Sequence, residues 1–395
     1  MKDKEIERLI KEESKREEKF INLIASENHV SKDVLEALGS VFTNKYAEGY
    51  PGRRYYGGTE VVDKLENLVK ERALKLFKLS SRDWAVNVQP YSGSPANLAI
   101  YLALVPRGEK IMGMSLDMGG HLTHGQKVSI TGKFWKQVPY GVSSKDEKLD
   151  YDEISKIALK EKPKLIVAGY TAYPRIIDFK KLKEVALKSG ALLMVDMSHF
   201  AGLVAGGVYP TPFKYADVVM TTTHKTLRGP RGAMIFAKKI PIQDSKLTLA
   251  EAVDKAVFPG LQGGPHMNAI AAIGVALNES RSDVFKKYAR QVLKNSKVLS
   301  DELKKYGWRI VSGGTDTHLI LVDTMSRGIS GKEAAEKLEK SGIIVNKNAI
   351  PYDTRKPTDP SGIRIGTPSV TTKGMKEKDM KNIAKMINQI LNARL

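Results

Sequence analysis

The sequence predicts an α/β protein, with a large domain built on a mostly parallel sheet covered by helices on both faces and a smaller α/β domain behind it. Three observations carry this reading. From about residue 26 to residue 275, short apolar runs alternate with amphipathic segments, as strands buried between helical layers require. A long amphipathic stretch over residues 284–306 then separates these runs from a second, shorter set. The 395 residues, 42% hydrophobic and with Gly and Pro scattered, suffice for two sizeable cores.

Taken in order, the chain opens with MKDKEIERLIKEESKREEK, a charged helix on which Ile6, Leu9 and Ile10 form a stripe too narrow to bury in a core of its own. The stripe is expected to dock on a partner. The expected organisation is a helical arm over residues 1–25, a large domain over 26–275 and a small domain over 276–395. IMGMSL (111–116), LIVAG (165–169), LLMVDM (192–197), VVMTTT (218–223) and AMIFA (233–237) read as strands of the large sheet. In the small domain RIV, HLILVD, IIVN and GIRIG read as strands, with helices over 331–341 and 373–395. IIVN and its neighbours are expected to return residues to the cleft.

Composition narrows the chemistry. The chain has no cysteine, so disulfides, thiolate metal sites and thiol catalysis are out, and a reducing compartment suits it. The charged N-terminus and the lack of any apolar run near membrane-spanning length predict a soluble, cytoplasmic protein. A net charge of +20 and a pI near 9.6 attract anions. The lysines are nonetheless spread along helices and mixed with acids, which reads as solvated helix faces, and no RNP, KH or zinc-finger pattern points to nucleic acid. No GxGxxG or P-loop precedes a predicted helix, which argues against nucleotide phosphates.

The stretch DVVMTTTHKTLRGPRGAMIFA (217–237) places Lys225 on a tight connection between two apolar runs. Open α/β sheets bind ligands at such strand ends. Burial and nearby cations, here Arg228 and Arg231, would lower the pKa of the amine and suit it to Schiff-base chemistry with an aldehyde cofactor. On these residues alone a solvated basic turn is an equal alternative. Ser92-Gly93-Ser94-Pro95 offers phosphate donors at a helix start, with Ser94 expected as N-cap and Pro95 as the first helical residue. Asp196 ends an apolar run, where a carboxylate requires a cationic partner. His121 and His124 are three apart, but without cysteine, and with Asp117 cut off by Gly119-Gly120, no metal is predicted.

TTTHKTLRGPRG (221–232) resembles the cofactor-lysine segment of the serine hydroxymethyltransferase family. Eight further blocks are similar to that family in the same order, namely LIASEN, NKYAEGYPGRRYYGG, SGSPAN, GGHLTHG, VDMSHFAGL, FPGLQGGP, VNKN and GIRIGTP. The resemblance implies the aspartate-aminotransferase-like fold type I, with a seven-stranded large sheet. It implies pyridoxal 5′-phosphate as cofactor and reversible transfer of the hydroxymethyl group of serine to tetrahydrofolate or a modified tetrahydropterin, giving glycine. It also implies a homodimer with shared active sites.

Residue by residue, the resemblance makes Lys225 the cofactor lysine, with Thr222 and His224 beside it and Arg231 close by. Ser92, Gly93 and Ser94 hold the phosphate, His121 stacks on the pyridine ring, Asp196 keeps the ring nitrogen protonated and His199 lies near the 3′-oxygen. Thr171 stands where relatives often carry Ser, and Ser198 where many carry Ala. His124 is a structural hydrogen-bonder. Arg364 grips the substrate carboxylate, with Ser26 beside it. Glu48, the only carboxylate between Tyr46 and Gly58, carries protons among substrate, pterin and leaving group. Tyr46, Tyr55 and Tyr56 surround it, Tyr46 and Tyr56 crossing the subunit interface. Gly263 and Gly264 reach the neighbouring subunit's cofactor phosphate, and Asn348 contacts the pterin. Two rival readings are a threonine-type aldolase of the same fold and a basic RNA-binding protein on the enzyme scaffold.

Overall fold

The structure is a computed structural model that describes residues 1–393. Seven strands form the large sheet: β1 (Trp84–Asn87), β2 (Lys110–Met114), β3 (Lys136–Tyr140), β4 (Leu165–Gly169), β5 (Leu192–Asp196), β6 (Val218–Thr222) and β7 (Ala233–Lys238). Their order is β1-β7-β6-β5-β4-β2-β3. All neighbours are parallel except at β7, which runs antiparallel to both β1 and β6. The connection from β6 to β7 is too short for a helical crossover, so the chain can only turn back beside itself.

The apolar runs are continuous because both faces of the sheet are covered. Along β4 to β6, Ile166, Ala168, Leu193, Val195 and Val219 enter one core, whereas Leu165, Val167, Met194, Val218 and Met220 enter the other. The period of two thus divides one hydrophobic run between two cores. Two strands carry no such run. β1 and β3 are the edges of the sheet, and β3, partly exposed, holds Pro139, which an edge tolerates because its missing N–H breaks no inner ladder. Neither was legible as a strand beforehand.

A four-stranded antiparallel sheet follows, made of β8 (Arg309–Ile310), β9 (Leu319–Asp323), β10 (Asn346–Asn348) and β11 (Gly362–Gly366), in the order β8-β9-β11-β10. The run IIVN is split. Ile343–Ile344 pairs in parallel with Ile21–Asn22, and only Asn346–Asn348 joins the sheet. The last helix begins at Glu377 rather than at residue 373, because Pro368–Thr372 forms a separate short turn of helix, and it runs to Asn392. Residues 394–395 of the expected helix lie outside the described residues.

One helix, α1 (Asp283–Lys305), ties the two cores together. Phe285, Tyr288, Ala289 and Val292 pack into the large core, and Leu299 and Leu303 into the small one. Leu23 is also buried in the small core, and its carbonyl accepts from Gly366 N–H at 2.7 Å. The opening helix, Lys4–Lys19, buries none of its residues, and Ile6, Leu9 and Ile10 stand about half exposed. Among the described residues, no helix is long and apolar enough to cross a membrane.

Close packing beside the lysine turn gives a test of the fold. A Cβ on Gly202 would lie 2.1 Å from Thr226 O, and Thr226 Oγ1 already accepts from Gly202 N–H at 3.0 Å while donating to His199 O at 2.9 Å. Gly202→Ala is expected to destabilise the protein by about 1–3 kcal/mol through overpacking. A denaturant midpoint equal to the parent's would show that the contact relaxes freely.

Candidate active site

The carboxyl ends of β4, β5 and β6 open on a cavity of ≈ 280 Å³. From the large sheet it receives Thr171 just past β4, Asp196, Ser198 and His199 at the end of β5, and Thr222, His224 and Lys225 at the end of β6. Ser92, Gly93 and Ser94 enter where α2 (Gly93–Leu104) begins, and His121, Arg231, Ser26 and Arg364 complete the expected set. The helix start differs from expectation. Ser92 is the N-cap, so Pro95 falls at the third helical position, still within the first turn, where no intrahelical N–H is lost. A Cβ on Gly93 would meet Thr222 Cγ2 at 2.7 Å, so only glycine fits between the helix start and the lysine strand.

Lys225 Nζ donates to Thr222 Oγ1 at 2.8 Å. Burial lowers its pKa to about 8, and repulsion from Arg231 and Arg364 adds to that, against the opposing pull of the Asp196 carboxylate. Arg228 is not the neighbour expected. Its guanidinium lies over the Tyr288 ring, 5.0 Å from the centroid. The second cation comes instead from Arg364, remote in sequence.

Asp196 is held ionised by the donors around it. Burial pushes its carboxyl up, but hydrogen bonds from His124 and Ser198 outweigh this and the net shift is downward. Ser198 N–H reaches Oδ1 at 3.0 Å, while Asn97 Nδ2 and His124 Nε2 reach Oδ2 at 3.1 and 3.2 Å. His124 Nδ1 faces the His121 backbone N–H, which leaves the ring proton on Nε2, pointing at the carboxylate. His121 Nδ1 accepts from Thr123 N–H at 3.1 Å, and burial lowers the pKa of the ring to about 4. The ring therefore presents a neutral aromatic face.

Arg364 is almost completely buried, and desolvation lowers its pKa to about 10. Nε donates to Asn346 Oδ1 at 3.0 Å and Nη1 to Thr171 O at 2.7 Å, and no carboxylate pairs with it among the described residues. A buried guanidinium held only by neutral acceptors is a socket for a carboxylate. His224 Nδ1 is likewise buried without a partner among the described residues.

These groups fit pyridoxal phosphate. Ser92, Ser94 and the start of α2 suit its phosphate, Asp196 its ring nitrogen, His121 its ring face and Lys225 its aldehyde.

Seven expected residues do not line this cavity: Tyr46, Glu48, Tyr55, Tyr56, Gly263, Gly264 and Asn348. Most of them form a second cluster. Tyr46 and Tyr56 meet with centroids 5.0 Å apart and rings tilted by 49°, Tyr55 packs on Phe258 at 5.7 Å, and Gly263 and Gly264 lie against Glu48 and Tyr46. All three tyrosines are exposed. Asn348 stays on the edge strand β10, where Nδ2 donates to Ala349 O.

Sequence reasoning passed over Asn97, Asn346 and His318. Asn97 lies one helical turn beyond Ser94, so the helix period could have revealed it. Asn346 and His318 gave no local signal.

Fold and site together define an α/β enzyme whose buried lysine is prepared for an aldehyde cofactor of the pyridoxal-phosphate kind. The family model described as serine hydroxymethyltransferase matches residues 1–387. A serine hydroxymethyltransferase of Desulfotalea psychrophila (strain LSv54 / DSM 12343) is 53% identical over 390 residues, covering 99% of this chain and 89% of that protein. The chain belongs to the serine hydroxymethyltransferase family, and is thus a pyridoxal-phosphate-dependent transferase of fold type I. The family uses tetrahydrofolate as cosubstrate, and its members are typically homodimers. Neither the aldolase nor the RNA-binding reading is favoured.

The lowered Lys225 pKa has a measurable consequence. The amine is nucleophilic only when deprotonated, so trapping of a simple uncharged aldehyde at Lys225 by borohydride should rise with pH and level off above about 8, rather than near the ordinary 10.5. Peptide mapping of the modified cofactor-free protein at a series of pH values checks this. A rise that continues past pH 10 would place Lys225 in a solvated setting.

Proposed function

We propose that this chain interconverts serine and glycine with a tetrahydropterin carrier, and that the cavity around Lys225 and Arg364 holds the amino acid. The observation that carries this reading is the buried, carboxylate-free Arg364 guanidinium in one cavity with Lys225, a pairing that suits an α-amino acid. When bound through its aldehyde, pyridoxal phosphate supplies a cationic ring that takes up the electron pair of a bond broken at the amino acid's α-carbon.

The residues of the chain do the rest. Asp196 holds the proton on the ring nitrogen. Ser92, Gly93, Ser94, His224 and Arg231 bind phosphate, and His121 packs against the ring. Thr222 orients Lys225 Nζ, the amine that would hold the cofactor through its aldehyde. Arg364, aimed by Asn346 and Thr171, would fix the substrate carboxylate together with Ser26 and so orient the amino acid. His199 faces the ring oxygen.

Glu48, Tyr46, Tyr55, Tyr56, Gly263 and Gly264 are assigned to the cavity of a second copy. Their exposed aromatic cluster supports this, because three accessible tyrosines around one carboxylate gain burial only against another surface. There Glu48 moves a proton at the hydroxymethyl oxygen. Asn348 is assigned to the pterin. The division into an arm over residues 1–25, a large domain over 26–275 and a small domain over 276–395 belongs to the same proposal, supported by the two separate cores. So does a cytoplasmic location, which the absence of cysteine favours.

Arg364→Ala should weaken serine and glycine binding by about 2–5 kcal/mol, the range for removing one partner of a buried charge pair, with cofactor retention unchanged by absorbance. An unaltered serine KM in that variant would move the carboxylate site elsewhere.

Mixing two inactive variants tests the sharing of sites. In a hybrid of Lys225→Ala and Glu48→Gln subunits, sites built across the interface include one with both residues intact, so activity should return to about half per hybrid dimer. If Glu48 serves its own subunit, both sites of the hybrid are damaged and the mixture stays inactive.

A further inference from the structure

His318, just before β9, has no part in the roles assigned so far. It is completely buried, and its Nε2 lies 3.2 Å from His199 Nδ1, with the rings stacked at 26° and centroids 5.5 Å apart. Its Nδ1 is buried without a hydrogen-bond partner among the described residues. His199 lines the cavity, and its Nε2 makes no hydrogen bond among the described residues. Burial, with repulsion from Arg364 and Lys225, lowers the pKa of His318 to about 3 and holds His199 well below 6.5, so both rings are neutral. Each ring therefore has one N–H to place.

One proton lies between the two facing nitrogens, and there are two ways to supply it. If His199 Nδ1 donates, His318 must carry its own proton on Nδ1, where nothing accepts it, and His199 turns a bare lone pair to the cavity. If His318 Nε2 donates, its Nδ1 is merely an unused acceptor and His199 carries its proton on Nε2. A buried N–H without an acceptor is the rarer and more costly loss. The cavity also favours the second arrangement. Lys225, Arg231 and Arg364 gather there to receive anionic groups, which an N–H attracts and a lone pair repels.

We infer that His318 is a positioning residue for the reaction: its Nε2–H donates to His199 Nδ1 and so fixes His199 in the tautomer whose Nε2–H faces an anionic oxygen of the bound cofactor. The inference rests on the proposed place of His199 in the site. Without such a lock, an imidazole can present either nitrogen, and a donor aimed at the cofactor would be present only part of the time. The arrangement parallels the outer partners that orient metal-binding histidines.

The test separates this inference from the proposed function, because it first reads a proton rather than turnover. In protein labelled with ¹⁵N-histidine and loaded with cofactor, His199 Nδ1 should give the shift of a bare ring nitrogen and Nε2 that of a protonated one, assigned by loss of those signals in His199→Gln. His318→Gln keeps an N–H₂ where Nε2 stood, and should preserve both the tautomer and kcat/KM within a few-fold. His318→Phe keeps a ring without a donor. It should leave His199 with mixed or reversed tautomers and lower kcat/KM by about 10- to 100-fold, the scale for outer-shell partners, with cofactor still bound. A protonated Nδ1 on His199 in the parent overturns the inference, as do equal activity losses in the Gln and Phe variants. Should the Phe variant not fold, the parent spectrum and the Gln variant still decide.

Discussion

The site depends on a carboxylate that stays ionised at a buried strand end. Asp196 has lost its water, and the loss alone would protonate it. A backbone N–H from Ser198, the Asn97 amide and the His124 ring together reverse that. The result is a fixed negative charge among otherwise positive groups. It opposes the lowering of the Lys225 pKa, which burial, Arg231 and Arg364 nevertheless win, leaving an amine poised between charged and nucleophilic forms.

The four-stranded sheet and the residue just before β9 bring the rest of the electrostatics. Arg364 sits in the middle of β11, paired in register with Leu321 and Asn346, and its side chain reaches back to Thr171 O, just past β4. His318 likewise reaches across to His199. Helix α1 packs its first half in one core and its second half in the other, and Arg175 reaches Asp316 between the same two parts.

The second cluster obeys a different constraint. Tyr46, Tyr55 and Tyr56 keep large apolar faces in water around Glu48, while Tyr91 OH donates to Gly264 O at 2.8 Å and stacks on His266. The loop that carries Gly263 and Gly264 is thus braced from within its own subunit. The groups it presents are those proposed above to complete the cavity of a second copy.

Much of this was written in the sequence. The continuous apolar runs of β2 and β4 to β7 announced a doubly covered sheet, because side chains that alternate between two dry faces leave no polar positions. Lys225 and Asp196 stood at recognisable strand ends and Ser92 at a helix start, but the roles of all three, and of His121, came from the family resemblance and not from local pattern alone. The edge strands β1 and β3 did not show, since β1 is short and ends in Asn87, buried but hydrogen-bonded to Asp254, while β3 is partly exposed and carries Lys136 and Pro139, so neither has a long apolar run. Nor could local pattern place Asn346 against Arg364, set the proton between His199 and His318, or turn Arg228 away toward Tyr288. Those outcomes are decided by which distant segments meet. Burial and hydrogen-bond partnership are properties of that meeting, and only the tertiary structure fixes them.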